Sequence, residues 1–224
     1  MRAPISVIVP TLNAGPRLNV CLAALMEGVE AGLIREVIVS DGGSTDQTLD
    51  IAKEWGAEVI SASPSRGGQL RAGCAVAQGA WLMVLHGDTV LAPEWTGAVA
   101  VHMQTQKAGW GRLAFDQGGL PGRIVAGWAN ARSSFGLPYG DQGLLLPRKL
   151  YDAVGGYPDQ PLMEDVAIAR RLKGQLVGLD VKAVTSCKKY RRQGWIRRGS
   201  RNFWTLIRYA LGADAETLAK TYAR

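Results

Sequence analysis

The chain has 224 residues, 47% of them hydrophobic and 20% charged, with a formal net charge of +7; it is long enough to bury a full core and too apolar for a disordered class. Its longest apolar stretches, such as Trp81 to Leu85, fall far short of the ~20 residues that cross a bilayer, which argues against a spanning helix. The first strand-like run begins at Ile5, and Cys21, Cys74 and Cys187 are odd in number and scattered, so the expectation is a cytoplasmic chain without a leader, carrying free, mostly buried thiols.

Ile5 to Val9 is a continuous apolar run rich in β-branched residues, followed by Asn13-Ala14-Gly15-Pro16 and by Leu18, Cys21, Leu22 and Leu25 at helical spacing. Strand, turn and helix are predicted. Glu36 to Ser40 repeats the pattern, and Ser44 with Gln47 has the spacing of a capping box for a helix through Leu49, Ile51 and Trp55. Glu58 to Ser61 reads as a third strand, Gly68 to Ala77 as a third helix and Trp81 to Leu85 as a fourth, fully buried strand. Right-handed connections of this kind build a parallel sheet. Farther on, Pro93 to Gln106 reads as a helix, Gly109 to Phe115 as a strand and Gly118 to Gly122 as a mobile, glycine-rich connection. Ile124 to Ser134 is expected to be helical, Gly143 to Leu146 a short strand, Glu164 to Leu172 a helix and Gln175 to Val184 a strand. Two helices, Trp195 to Leu211 and Ala215 to Tyr222, end the pattern. No internal repeat or low-complexity linker divides it.

Open α/β sheets bind ligands at the carboxyl ends of their strands. Val39-Ser40-Asp41-Gly42-Gly43-Ser44-Thr45-Asp46 and Leu85-His86-Gly87-Asp88 both fall there, and the ends of the first, second and fourth strands bring Thr11, Asn13, Asp41 and Asp88 toward one edge. A carboxylate at Asp41 suits the N–H of a uracil ring or a ribose hydroxyl, and Gly42 and Gly43 let the backbone turn sharply and approach a ligand. Asp88 suits a hard divalent cation, Mg²⁺ or Mn²⁺, which substrate phosphates also hold. Arg66 and Arg71, beside Gly67, Gly68 and Gly73, suit a diphosphate. Plainer readings stand next to these: Asp-Gly-Gly-Ser as a turn ending in a helix cap, His86 as a satisfied histidine at a strand end, and the arginines as surface charge. P-loop, Gly-x-Gly-x-x-Gly and Gly-x-Ser-x-Gly signatures are absent.

Between Lys188 and Leu211 stand eight basic residues and no acidic one, interleaved with Trp195, Ile196, Phe203, Trp204, Ile207 and Tyr209. The mixture fits a membrane-surface helix or a site for a phosphate-bearing partner, and equally a solvated face whose aromatics point inward.

Taken in order, Val7-Ile8-Val9-Pro10-Thr11-Leu12-Asn13, the Asp41 segment, His86-Gly87-Asp88 and Met163-Glu164-Asp165 resemble the motifs of glycosyltransferase family 2. With Gly140-Asp141-Gln142 and Pro161-Leu162-Met163-Glu164-Asp165, the chain is similar to the small bacterial transferases described as radical-SAM/selenodomain-associated. The resemblance implies an α/β GT-A fold, a Rossmann-like, mostly parallel sheet flanked by helices, as a single domain over 1–224 with a nucleotide-binding half (1–108) and an acceptor half (109–224) ending in basic helices. It further implies a nucleotide-sugar donor, most readily a UDP-sugar, and a divalent cation. Thr11 and Asp41, with Asn13, Gly42 and Gly87 near them, would hold the nucleotide, while Arg66 or Arg71 approaches the diphosphate. Asp88 matches the metal-binding aspartate of the Asp-x-Asp motif, and His86 stands where that motif begins with Asp. Asp165 matches the general base, which implies inversion at the anomeric carbon. Glu164 is its stand-in, and His86, Asp141 and Gln142 join it on the acceptor side or behind the site.

The Gln-x-x-Arg-Trp motif of processive members is absent, and Gln193-Gly194-Trp195-Ile196-Arg197-Arg198 is a loose echo of it, so single sugar transfer is expected. Two other readings are a sugar-1-phosphate nucleotidyltransferase, whose Arg- and Lys-containing glycine loop would directly follow the first strand, and a nucleotide-sugar-binding or membrane-surface protein without turnover, which the His86 departure favours. An anionic or lipid-linked acceptor, peripheral contact with the inner face of a membrane through Lys188 to Arg208, and an oligomer are compatible with the tail. No nucleic-acid recognition motif accompanies its charges.

Overall fold

The apolar run that opens the chain becomes β1 (Ile5–Thr11), nearly all of it buried. In this computed structural model, which describes residues 2–222 and so leaves residues 1, 223 and 224 of the expected unit outside, β1 leads into α1 (Gly15–Glu30), β2 (Ile34–Asp41), α2 (Thr48–Glu54), β3 (Glu58–Ser61), α3 (Arg66–Val76) and β4 (Trp81–Val84). Leu18, Cys21, Leu22 and Leu25 of α1 are buried, as their spacing requires. The strands pair in parallel in the order β3-β2-β1-β4, with Thr11 opposite Asp41 and Ile8 opposite Val84. Side chains alternate across this sheet: Ile5, Val7 and Val9 pack on one face with Leu18, Leu22 and Trp95, while Ile8 packs on the other with Leu70, Leu82 and Ile168.

The chain continues through β5 (Val90–Leu91), α4 (Trp95–His102), β6 (Ala108–Phe115), α5 (Gly119–Ser134), β7 (Leu144–Pro147), α6 (Arg148–Ala153), α7 (Glu164–Arg171), β8 (Leu176–Thr185), α8 (Lys188–Gln193), α9 (Trp195–Ala210) and α10 (Ala215–Tyr222). All eight strands join one sheet, β3-β2-β1-β4-β7-β6-β8-β5. It is mixed rather than wholly parallel, because β7 runs antiparallel to both β4 and β6 and β5 runs antiparallel to β8. Through β7, the polypeptide after residue 143 returns to the middle of the sheet.

Two local expectations are corrected. Ser44 and Gln47 form no capping box: the Ser44 hydroxyl is committed to Asp41, and Asp46 Oδ1 accepts the Thr48 N–H at 3.0 Å instead. Gly118 to Gly122 is no mobile connection, since α5 starts within it and its small residues admit the Trp195 ring, 3.1 Å from where a Gly122 Cβ would stand. The short elements β5, α6 and α8 carry too few residues for a periodicity to declare them. Cys21, Cys74 and Cys187 are free and buried, and no helix among the described residues is long and apolar enough to cross a membrane.

Candidate active site

The parallel strands end on one side, and the loops that leave them there are polar. At the end of β2 the Asp41 carboxylate accepts the Thr11 hydroxyl at 2.8 Å, the Gly43 and Ser44 N–H groups at 2.8 and 2.7 Å, and the Ser44 hydroxyl. A carboxylate has about four acceptor sites, and all of them are filled. Burial works against the charge, but the donors from Ser44, Thr11 and Gly43 together hold the Asp41 pKa below its ordinary value. Gly43, at φ +98°, makes the turn that aims these N–H groups inward. Asn13, itself at φ +53°, ties the end of β1 to the same loop: its Oδ1 accepts the Thr45 N–H at 2.9 Å and its N–H donates to Ser44 Oγ at 2.8 Å. From α3, Gln69 Nε2 donates to the carbonyls of Thr11 and Ser40 at 2.7 and 2.8 Å, closing the gap between β1 and β2.

Beyond these ends lies a cleft of about 560 Å³ lined by Thr11, Asn13, Arg66, Gln69, His86, Gly87, Asp88, Asp141 and Asp165, among others. The β1 and β4 ends therefore share one space with the start of α7. A larger hollow of about 760 Å³ lies elsewhere, between Trp110, Phe135 and Lys173, and holds none of the expected residues. Asp41 and Gly42 lie one layer behind the cleft wall. Arg66 stands in the wall with its side chain 44% exposed, whereas Arg71, on the same helix, is exposed to solvent outside the cleft lining. One cation of the pair, not two, reaches the site.

His86 and Asp165 meet at the turn of Gly140–Gln142. The imidazole lies against Gly140 so closely that a Cβ there would stand 2.6 Å from its Cε1. The Gly140 N–H donates to Asp165 Oδ2 at 2.8 Å, and the Val166 N–H donates to Oδ1 at 2.7 Å. Asp165 also sits in the first turn of α7, where the helix dipole favours a negative charge. Burial, helped by Arg66, pulls the His86 pKa down to about 4, so the ring is neutral at pH 7. Burial also pushes Asp141 up to about 6, with Arg132 opposing and Asp165 and Asp88 adding to the rise.

Glu164 and Gln142 sit behind this surface. Glu164 is fully buried 3.5 Å from Arg66 Nη1, close enough for an ion pair but without hydrogen-bond geometry. Burial and the neighbouring Asp165 push it up to about 7 against the pull of Arg66. Gln142 is a scaffold: its amide donates to the Gly111 carbonyl at 3.1 Å and its oxygen accepts the Ser133 hydroxyl at 2.6 Å.

Further lining comes from the basic and aromatic tail, which the sequence offered as a place for an anionic acceptor. Lys189 and Tyr190 of α8, Arg198 and Asn202 of α9, and Tyr222 of α10 all line the cleft. Tyr190 stacks on Trp195 with centroids 5.0 Å apart, Phe115 meets both rings edge-on, and Asn202 bridges the hydroxyls of Tyr190 and Tyr222 at 3.0 and 2.8 Å. The signal available was the run of basic and aromatic residues after Lys188, which carries no mark of the side it faces.

His86 Nε2 and Asp141 Oδ1 are buried with no hydrogen-bond partner among the described residues. Both belong to residues of the cleft that also holds the Asp88 carboxylate, a set of oxygen and nitrogen donors that suits Mn²⁺ or Mg²⁺. The described residues include no group of three His, Cys, Asp or Glu side chains arranged as a cation cage. A cation that keeps its waters and takes one or two carboxylates plus substrate phosphates needs no such cage, and the donors present fit that mode.

Comparison with known proteins bears on the fold and the family. A PGL/p-HBAD biosynthesis glycosyltransferase of Mycobacterium bovis BCG is 34% identical over 99 residues, covering 41% of this chain and 38% of that protein. The chain thus matches well under half the length of this relative. Among solved structures, S. aureus TarS superposes with a TM-score of 0.63 at 18% identity, over 84% of this chain and 38% of that one. Glucosyl-3-phosphoglycerate synthase from Mycobacterium tuberculosis, in complex with Mn²⁺, UDP and glucosyl-3-phosphoglycerate, superposes with a TM-score of 0.58 at 21% identity, over 80% and 70% of the two chains. These likenesses show the GT-A fold. The family described as Glycosyl transferase family 2 matches residues 6–135, a span from β1 through α5 that includes the carboxyl ends of β1, β2, β3 and β4, and by that match the chain belongs to glycosyl transferase family 2.

Proposed function

We propose that this chain transfers a single sugar from a UDP-sugar to an acceptor hydroxyl, with inversion at the anomeric carbon. The observation that carries the reading is the shared cleft, which Thr11, Asn13, His86, Asp88 and Asp165 line together. Glucosyl-3-phosphoglycerate synthase has been captured with UDP and Mn²⁺, and a TarS fragment with UDP-GlcNAc, which supports the choice of donor. Residues 1–108 form the donor side in this reading and residues 109–224 the acceptor side.

Thr11 and Asn13 receive the base and ribose, with Asp41 holding their loop in shape from behind. Asp88 would hold a divalent cation, with His86 Nε2 and Asp141 beside it. Such a cation, when bound, neutralises the charge that develops on the leaving diphosphate. Arg66 faces the same charge from α3.

Asp165 acts on the acceptor. Two backbone N–H groups fix its carboxylate and leave acceptor capacity on both oxygens, so it takes the proton of the attacking hydroxyl while remaining oriented. Lys189 and Arg198 on the far wall give that acceptor a cationic surround.

Calorimetric titration with UDP, GDP, CDP and ADP, with and without Mn²⁺, tests the donor half of this reading. The expected result is Mn²⁺-dependent preference for UDP that Asp88→Ala abolishes. Binding of no nucleotide would refute it, and preference for another nucleotide would keep the transfer and replace the donor.

A further inference from the structure

Helix α5 is amphipathic the wrong way round. Its buried positions are Gly122, Ala126 and Ser133, whereas Leu120, Ile124, Trp128 and the C-cap residue Phe135 face solvent, Trp128 at 60% and Phe135 at 87% exposure. Spacings of four, four and seven residues put them in one stripe. A helix shaped only by packing on its own core turns such side chains inward.

Helix α9 extends the stripe. Trp128 meets Phe203 edge-on with centroids 6.0 Å apart, and Ile196, Trp204 and Leu211 are also exposed, Ile196 at 85%. The other side of α9 carries Arg198 and Asn202 into the cleft. One helix, about 10 Å across, separates the apolar stripe from the site.

Charge identifies what covers the stripe. Arg123 of α5 and Lys188, Arg191, Arg192 and Arg197 beside and on α9 are exposed outside the cleft lining, and neither α5 nor the stretch from Lys188 to Ala210 holds an Asp or Glu. A second copy of the chain would bring like charge against like charge. An anionic bilayer presents the opposite sign, and its interface accepts Trp, Phe, Ile and Leu flanked by Arg.

We infer that α5 and α9 together form a docking surface for the headgroup region of an anionic bilayer. The cleft then lies at the membrane surface, within reach of an acceptor carried by the bilayer; this last consequence rests on the transferase reading, whereas the docking itself does not.

Co-sedimentation tests it with vesicles of phosphatidylcholine alone and of phosphatidylcholine and phosphatidylglycerol in equal parts, at low salt. The wild type is expected to sediment with the mixed vesicles and ~10-fold less with the neutral ones. The triple variant Ile124→Ser, Trp128→Ser, Phe203→Ser is expected to lose ~10-fold in binding with its circular dichroism and thermal midpoint unchanged. Should that variant misfold, Arg123→Glu with Arg197→Glu tests the charge of the same surface and is expected to lose binding to the mixed vesicles. Binding equal to wild type in the folded variant, or no sedimentation of the wild type with anionic vesicles, would overturn the inference. So would a dimer in analytical ultracentrifugation that the triple variant abolishes, which would assign the stripe to a second copy. Nucleotide titrations bear on none of these outcomes, so failure of the transferase reading stays distinguishable.

Discussion

Two residues that touch through backbone bonds decide the chemistry proposed for the cleft. Asp165 is held by the N–H groups of Gly140 and Val166, so Asp165→Asn keeps the shape and removes the base. Turnover with a UDP-sugar is expected to fall by ~10²–10⁴ with UDP affinity unchanged in calorimetry, and wild-type turnover would remove Asp165 from its role. Gly140 is a glycine because the His86 ring occupies the space of a side chain. Gly140→Ala is therefore expected to displace His86 and cut turnover at least ~10-fold while the thermal midpoint changes little, an outcome read from steady-state kinetics beside a melting curve. Asp88 and Asp165 were legible in the sequence because each follows a strand or opens a helix within a short motif. Gln69 was not, because its partners lie on other elements and no local pattern announces them.

At the scale of elements, α1 is pinned to the far strands by one carboxylate. Asp116, just past β6, accepts Arg17 Nη2 at 2.8 Å and the Cys187 N–H at 3.0 Å. Burial opposes its charge, but the hydrogen bonds from Arg17 and Cys187 outweigh it and draw the pKa from 3.8 down to about 2. A carboxylate with a depressed folded pKa binds fewer protons in the native state, so its contribution is complete above pH 3.8 and vanishes as pH falls through 2. Both side chains are 30% exposed, and solvent screening reduces the contribution to ~1–2 kcal/mol. Asp116→Asn is expected to lose that much stability in urea unfolding at pH 7, with the gap to wild type narrowing below pH 4; a gap independent of pH would sink the argument. Long elements such as α1 and α9 were legible from their periodicity. The reversed direction of β7 was not, since a run of Leu144 to Leu146 reads alike in either direction.

The whole molecule draws its cleft from distant parts of the chain. Because β7 is inserted between β4 and β6, residues near positions 11, 88, 141, 165 and 198 meet around one space. The sequence pointed to the first four of these regions through strand ends and family motifs, and it marked the last only by its charge. Pairings between strands so far apart in sequence form slowly, since each closes a long loop before any contact rewards it. The cleft is accordingly a late product of folding. A chain emerging from the ribosome has made β1, β2 and β4 long before α9 exists, and it gains a complete binding wall only once α8, α9 and α10 have followed.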